Sequence, residues 1–363
     1  MRLGILATHP IQYYAPIYRA IAATAGVDLT VYFVDRPSAR AQGIGFGVPF
    51  TWDVDLTDGY ESGDIPVVTD VIRRGRFDAF LVQGWNARSY WQAIRACWAT
   101  ATPVLVRGDS QLLDDGAATR LIKRVVYRRF MRRFAACLST GVRSEAFFRY
   151  YGARRIVPAP HCVDNTRFTA GAVRERARRA DLRSAWGIAP ESTAVLFAGK
   201  LVDRKRPADL IAALRRVPGT HALFVGDGPL RQACERDARA AGVPATFAGF
   251  LNQTEMPSAY AAADILVLPS DRRETWGMVV NEAMASGLPA VVADAVGCVP
   301  DLVRCGVTGF SYAARDIGAL ADGVRALVAE PLVRARMGAA AAAHVAGFSP
   351  EAAAAGILAA AAA

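Results

Sequence analysis

Two glutamates, Glu274 and Glu282, stand eight positions apart in the run ETWGMVVNE, which continues as AMASGLPAVVAD. An apolar run ending in Leu268-Pro-Ser270 precedes them, and Gly277 opens a helical pattern that Gly287 and Pro289 close. A helix start offers backbone N–H groups and the positive end of the peptide dipoles, a ready site for an anion. Gly277 lets a ligand come close to the backbone. Glu274 precedes the helix and reaches across its mouth, whereas Glu282 sits on the second turn and leans back toward the start. Taken singly, either glutamate reads as a solvated surface side chain. Together, two acceptor-only carboxylates flanking an anion site suit a molecule that carries a diphosphate and many hydroxyls.

Three other strand ends carry complementary chemistry. In FAGKLVDRKRP, residues 197–207, Gly199 ends an apolar run, and Lys200, Arg204, Lys205 and Arg206 follow. Cations there neutralise a diphosphate and stabilise its charge as a leaving group; the bland alternative is a basic surface loop. In Val225-Gly-Asp-Gly-Pro229, the residues Gly226, Asp227 and Gly228 form a tight turn that also brings backbone near a nucleotide. In FAGFL, residues 247–251, the backbone at Phe250 and Leu251 is placed to pair with a base edge.

These strand ends need a scaffold that lines them up. Apolar runs at residues 3–7, 28–34, 79–82, 104–107 and 137–139 alternate with amphipathic segments such as 14–23 and 89–99, which is the grammar of a parallel sheet with helices on both faces. Residues 37–63 are Gly- and Asp-rich and read as a long loop with one short hairpin. The grammar restarts after an Arg-rich joining stretch, with strands at 194–197, 222–225, 245–247, 265–268 and 290–293. The expected fold is α/β, with two doubly wound Rossmann-like domains facing each other across a cleft, residues 1–168 and 169–345. A last helix, 346–363, crosses back to the first domain. Ligands in such sheets bind beyond the carboxyl ends of the strands.

The motifs taken together resemble the donor-binding domain of the GT-B glycosyltransferases, specifically the retaining family 4. Glu274 and Glu282 match that family's E-x7-E segment, and GKLVDRKRP, VGDGPLR, FAGFL, AAADILVLPS and CGVTGF support it in the right order. CVDNTRF, residues 162–168, resembles the stretch that closes the first domain. The likeness covers residues 160–350 strongly and the first half in outline. It implies that Glu274 holds hydroxyls of the donor sugar, Glu282 the ribose hydroxyls and Lys205 the diphosphate. It further implies that Trp276, Gly277, Met278 and Val279 contact sugar and phosphate. Lys200 stands where most relatives carry Arg, so the charge is kept and the bidentate fork is lost. In the first half, the Gly-rich opening loop of many relatives is replaced by THPIQYYAP, residues 8–16. There His9, with Gln12 and Tyr13 behind it, either approaches donor phosphates or acceptor or is a structural histidine. Asp109, in VRGDS, stands where many relatives place a His near the anomeric carbon; it either orients the sugar and steadies oxocarbenium charge or is a turn aspartate.

What the resemblance implies is transfer with retention, the leaving diphosphate taking the acceptor's proton while the protein supplies position and charge. No metal clamp is apparent, so no metal and no cofactor are expected. The expected substrates are a nucleotide-sugar donor, uridine-linked by family frequency, and an acceptor glycan or lipid-linked saccharide. A nucleotide-sugar epimerase of the same architecture and a non-catalytic sugar-nucleotide-binding subunit are the rivals.

Bulk properties bound these readings. The 363 residues are 53% hydrophobic and carry a net charge of +10, which excludes a disordered chain and favours anionic partners. Residues 116–155 hold eleven basic residues against one acidic residue, Glu145. Between Arg120 and Arg133 the sequence RLIKRVVYRRFMRR reads as a helix with an apolar stripe of Leu121, Val125, Val126, Phe130 and Met131. That helix either rests on anionic membrane or packs with a solvated basic face. Nucleic-acid binding is not expected, since no recognised fold or aromatic–basic interleaving accompanies the charge. Six cysteines without CxxC spacing read as reduced, mostly buried thiols. Met1-Arg2 runs into LGILAT, a first strand rather than a signal peptide, so a cytoplasmic protein, at most peripheral on the membrane's inner face, is expected.

Overall fold

The computed structural model describes residues 1–43, 48–65, 67–112 and 117–362; the side chains of residues 117–121, Arg120 and Leu121 among them, lie outside the described set. Contacts divide the chain into two units, each considered by itself. One comprises Met1–Pro37, Asp55–Cys162 and Phe348–Ala363; the other comprises Ser38–Val54 and Val163–Gly347.

The first unit is built on a seven-stranded sheet. In chain order its strands are β1 (Arg2–Ala7), β2 (Asp28–Phe33), β3 (Glu61–Asp64), β4 (Ala79–Val82), β5 (Val104–Gly108), β6 (Ala136–Ser139) and β7 (Ile156–Pro158). They lie side by side as β3-β2-β1-β4-β5-β6-β7, and every pairing is parallel. Leu3, Ile5, Val31, Leu81, Leu105 and Leu138 are wholly buried because helices cover both faces, which is why these strands read as continuous apolar runs. On one face lie the helices Ala15–Ala22 and Pro350–Ala361, whose Ile17, Ile21, Ala353 and Ile357 join the core. On the other lie Arg88–Ala99 and Ala117–Met131, contributing Ile94, Cys97, Phe130 and Met131. Ser349 caps the last helix by accepting from Ala352 N at 3.2 Å. Arg155 donates to the carbonyls of Ala359 and Ala360 at its other end. The helix lies so close to β7 that a Cβ on Gly356 would come within 1.9 Å of the Pro158 carbonyl.

Three details differ from the sequence reading. Glu61–Asp64 pairs in parallel with β2, Thr30 opposite Glu61, rather than forming a hairpin; its polar ESGD sequence is that of a short edge strand. The Arg-rich joining stretch is folded into two helices, Asn165–Arg176 and Arg179–Ala185. Arg179 and Arg183 from the latter bond Asp264 at 2.8 and 3.1 Å. The apolar stripe of the basic helix is split, with Phe130 and Met131 buried and Val125 and Val126 exposed.

The second unit carries β8 (Thr193–Ala198), β9 (Thr220–Val225), β10 (Ala245–Gly249), β11 (Ile265–Leu268), β12 (Ala290–Ala293) and β13 (Gly309–Tyr312). Their spatial order is β10-β9-β8-β11-β12-β13, again all parallel. In each sheet the order reverses at one place, between β1 and β4 and between β8 and β11. Such switch points open a crevice at the strands' carboxyl ends. Ser38–Val54 groups with this second unit: Phe50 stacks on Phe250 with ring centroids 4.2 Å apart, and Asn252 donates to the Thr51 carbonyl at 2.7 Å. Asp53 accepts from Thr254 N at 3.0 Å.

Candidate functional site

The switch point of the second sheet collects the residues singled out from sequence. After β8 the chain turns at Gly199, passes Lys200 and forms a single 3-10 turn, Asp203–Lys205. Arg206 ends that turn in the left-handed region, φ 52°, because Pro207 behind it opens the next helix and disfavours the right-handed conformation at the residue before it. This geometry tucks Lys205 inward, where its Nζ lies 2.6 Å from Glu274 Oε2; Arg204 stands 3.5 Å from the same oxygen. The two loops are tied by more than that pair. Asp271 N donates to the Arg204 carbonyl at 2.9 Å, and the exposed Arg273 bridges Asp203 and Asp271 at 2.7 and 2.6 Å. Lys200 is half-buried beside these cations, and burial first, then Arg204 and Lys205, lower its pKa. The crowding of Arg204 and Lys205 around Lys200 favours an anion entering the site.

The neighbouring loop depends on glycine. Gly226 has φ 123°, and a Cβ there would meet the Gly199 carbonyl oxygen at 2.1 Å; at Gly228 a Cβ would meet the Leu201 carbonyl at 2.6 Å. The loops after β8 and β9 are thus pressed together, with Leu201 N bonded to the Asp227 carbonyl at 2.9 Å. Gly226 N also donates to the Gly249 carbonyl at 2.7 Å, bringing Phe250 and Leu251 onto the same rim. Asp227 is engaged within the protein: its carboxylate accepts from Gly228 N and pairs with Arg231, both at 2.7 Å. It therefore shapes the turn.

On the other side of the switch point, Gly277 caps the helix Met278–Ala285 in the left-handed region, φ 99°. A Cβ there would lie 2.7 Å from Leu268 Cδ2. Met278 and Val279 are half-buried on the first turn, and no side chain caps the helix start. Trp276 turns into the core, its indole N–H donating to the buried Asn281 at 2.8 Å, so what it offers a ligand is backbone. Glu282 is 2% exposed and accepts from Tyr260 Oη at 2.5 Å. Tyr260 and Gly297 were not singled out from sequence. Gly297 N holds the Glu274 carbonyl at 3.0 Å, and a Cβ at that glycine would overlap the Thr275 carbonyl at 1.7 Å. A Tyr one helix away and a glycine one loop away carry no spacing signal.

The first unit presents its own group at carboxyl ends. His9 follows β1 at the switch point, half-buried, its Nδ1 3.0 Å from Thr8 Oγ1; burial lowers its pKa and Asp35 partly offsets this. Asp109 follows β5, and His161 Nε2 lies 3.8 Å from its carboxylate. His161 is buried, and that burial lowers its pKa against the opposing pull of Asp109. Beneath them Arg107 is almost fully buried and donates to the carbonyls of Ala159 and Pro160 at 3.1 and 2.9 Å. It also lies against the Tyr14 ring, 5.4 Å from its centroid. Arg107 and His161 were missed from sequence, because an arginine inside a strand and a histidine in a short loop look ordinary there.

Residues 178–344 match the family model for Glycosyl transferases group 1. The D-inositol 3-phosphate glycosyltransferase of Xylanimonas cellulosilytica is 30% identical over 327 residues, covering 83% of this chain and 78% of that protein. The chain belongs to the group 1 glycosyltransferases. Other relatives match in part. Sulfoquinovosyl transferase SQD2 of Arabidopsis thaliana is 36% identical over 42% of the chain and 30% of its own length. The D-inositol 3-phosphate glycosyltransferase of Nocardia farcinica is 31% identical over 73% of the chain and 60% of its own length. The match therefore spans less than two thirds of either protein. Among solved structures, Anabaena HepE, crystallised in complex with UDP, superposes with a TM-score of 0.73 over 99% of this chain and 98% of HepE, at 19% identity. The two-sheet architecture of the chain is thus the GT-B one. Among its described residues no helix is long and apolar enough to cross a membrane.

Proposed function

We propose that this transferase moves a sugar from a nucleoside-diphosphate donor to a glycan or lipid-linked saccharide with retention of anomeric configuration. The observation that carries the reading is the Lys205–Glu274 pair beside the Gly277 helix start: a cation for diphosphate, a carboxylate for sugar hydroxyls and backbone N–H groups for either, brought together at one switch point. The excess of Lys200, Arg204 and Lys205 over Glu274 stabilises the leaving diphosphate, which in turn accepts the acceptor's proton. Glu282, held by Tyr260, binds the ribose. His9 and Asp109 are proposed to act on the sugar or the acceptor, and no divalent metal is proposed to be required. Uridine is the base proposed. Five of the six cysteines are buried and none is in a disulfide, which suits a cytoplasmic setting.

The test is a thermal-shift panel of nucleoside diphosphates and nucleotide sugars in EDTA. The reading expects one base class to stabilise the protein strongly and Glu282→Ala to abolish the shift. Failure of every nucleotide to stabilise folded protein would remove it. Requirement for a divalent cation would refute the metal-free part alone. With a donor in hand, the anomeric configuration of the first-formed product decides retention.

A further inference from the structure

Among the described side chains of the basic helix Ala117–Met131, those of Ile122, Val125 and Val126 are left out of the packing. Tyr127, Phe130 and Met131 turn inward: Tyr127 meets Tyr151 edge-on at 4.9 Å, and Phe130 stacks on Trp91 at 4.8 Å. The opposite face carries Ile122, Val125 and Val126, 65%, 56% and 55% exposed, with the exposed Arg129 following at the same helical spacing. Single exposed aliphatic residues are ordinary; three over two successive turns of one face form a ridge that water disfavours. The basic helix and one of its neighbours carry charge of one sign only. From Ile122 to Arg133 there are six basic residues and no acidic residue, and the neighbouring helix Arg88–Ala99 has none either. That neighbour adds the half-exposed Trp91 and also Trp98, over which Arg133 lies at 3.4 Å.

We infer that this face is a docking surface for an anionic lipid bilayer. The β-branched ridge enters the boundary between headgroups and acyl chains, the tryptophans sit at headgroup level, and the arginines reach lipid phosphates while their stems cover apolar surface. A convex ridge fits a surface that yields, whereas a folded protein would have to supply a matching groove. An acidic protein would satisfy the arginines and leave the aliphatic ridge without purpose. The inference stands apart from the proposed chemistry and survives its failure. It also accounts for the one-signed charge of this stretch, which a nucleotide site in the other unit does not use.

Flotation of the full chain with phosphatidylcholine vesicles, with and without phosphatidylglycerol, tests it. Binding is expected to the mixed vesicles alone and to weaken as salt rises. Val125→Ser with Val126→Ser, and separately Arg129→Glu with Arg132→Glu, should each lower partition by roughly tenfold or more, since both apolar insertion and charge contribute. Unchanged melting temperature in both variants shows that the fold is intact. Absence of wild-type binding, equal binding to both vesicle types, or full binding by the arginine variant would each overturn the inference. A valine variant that binds like wild type would reduce the surface to plain electrostatic adsorption and overturn the inserted ridge.

Discussion

Lys205 Nζ and Glu274 Oε2 meet at 2.6 Å across the switch point of the six-stranded sheet, each side chain drawn in to about a tenth of its full exposure. One comes from the turn after β8 and the other from the loop after β11, so the pair closes the two loops on each other. Removing one partner of such a pair leaves a buried charge, at a cost of about 3 kcal/mol or more. Lys205→Ala should therefore destabilise the second unit by that order and weaken diphosphate binding. The double variant with Glu274→Ala should regain part of the stability and none of the binding. Denaturant unfolding and nucleotide titration on all four proteins of the cycle measure both terms.

Gly277→Ala places a side chain at φ 99° and 2.7 Å from Leu268. A loss of at least about 2 kcal/mol is expected from backbone strain and overlap together. Nucleotide stabilisation should fall with it, because the helix start has to shift. A variant with wild-type melting temperature and wild-type nucleotide shift would mean that the helix start is not where the donor lies.

Tyr260 donates to Glu282 in the core, and its removal leaves that carboxylate short of a partner. Tyr260→Phe should cost about 1–3 kcal/mol and lower donor affinity several-fold by loosening Glu282. Isothermal titration with the best nucleotide separates the two effects. Loss of stability with full affinity would mark Glu282 as a structural carboxylate only.

Burial lowers the pKa of His9, His161 and His221 below the ordinary histidine value. The unfolded chain then binds more protons than the folded one in the window below ~6.5. The neutral histidines' contribution is fully present above that window and is lost as pH falls through it. Melting temperature should decline from neutral pH toward acid, and His161→Gln should flatten the decline. A slope that is unchanged in that variant would assign the effect to other groups.

Asp109 and His9 divide between chemistry and structure by one comparison. Asp109→Asn should lower kcat at least tenfold with nucleotide stabilisation retained if the carboxylate steadies developing positive charge. A fallen melting temperature with kcat intact would make it a turn residue. His9→Asn is read the same way.

Central strands were legible because a strand buried on both faces must be apolar throughout: 79–82, 265–268 and 290–293 were placed to the residue. The edge strands β3, β7 and β13 were not. ESGD, IVP and GFSY are short and owe their pairing to a neighbour rather than to their own pattern. The glycines at 226, 228 and 277 were visible as breaks in pattern, and the structure gives each a steric reason. Tyr260, His161 and Gly297 reach the strand-end groups through space alone, and no periodicity announces that. Val125 and Val126 mislead for the opposite reason, since their spacing mimics a packed helix while their face remains in solvent.

The helix Pro350–Ala361 also has a temporal meaning. Its Ala353 and Ile357 complete the core of a unit whose first strand begins at Arg2, and Gly356 seats it against β7. On the ribosome that core stays open until Pro350–Ala361 has emerged, whereas the stretch Val163–Gly347 emerges without interruption and can close earlier. Of the two units, the one begun first is thus the one finished last, and its exposed apolar sheet face must wait through the synthesis of its neighbour.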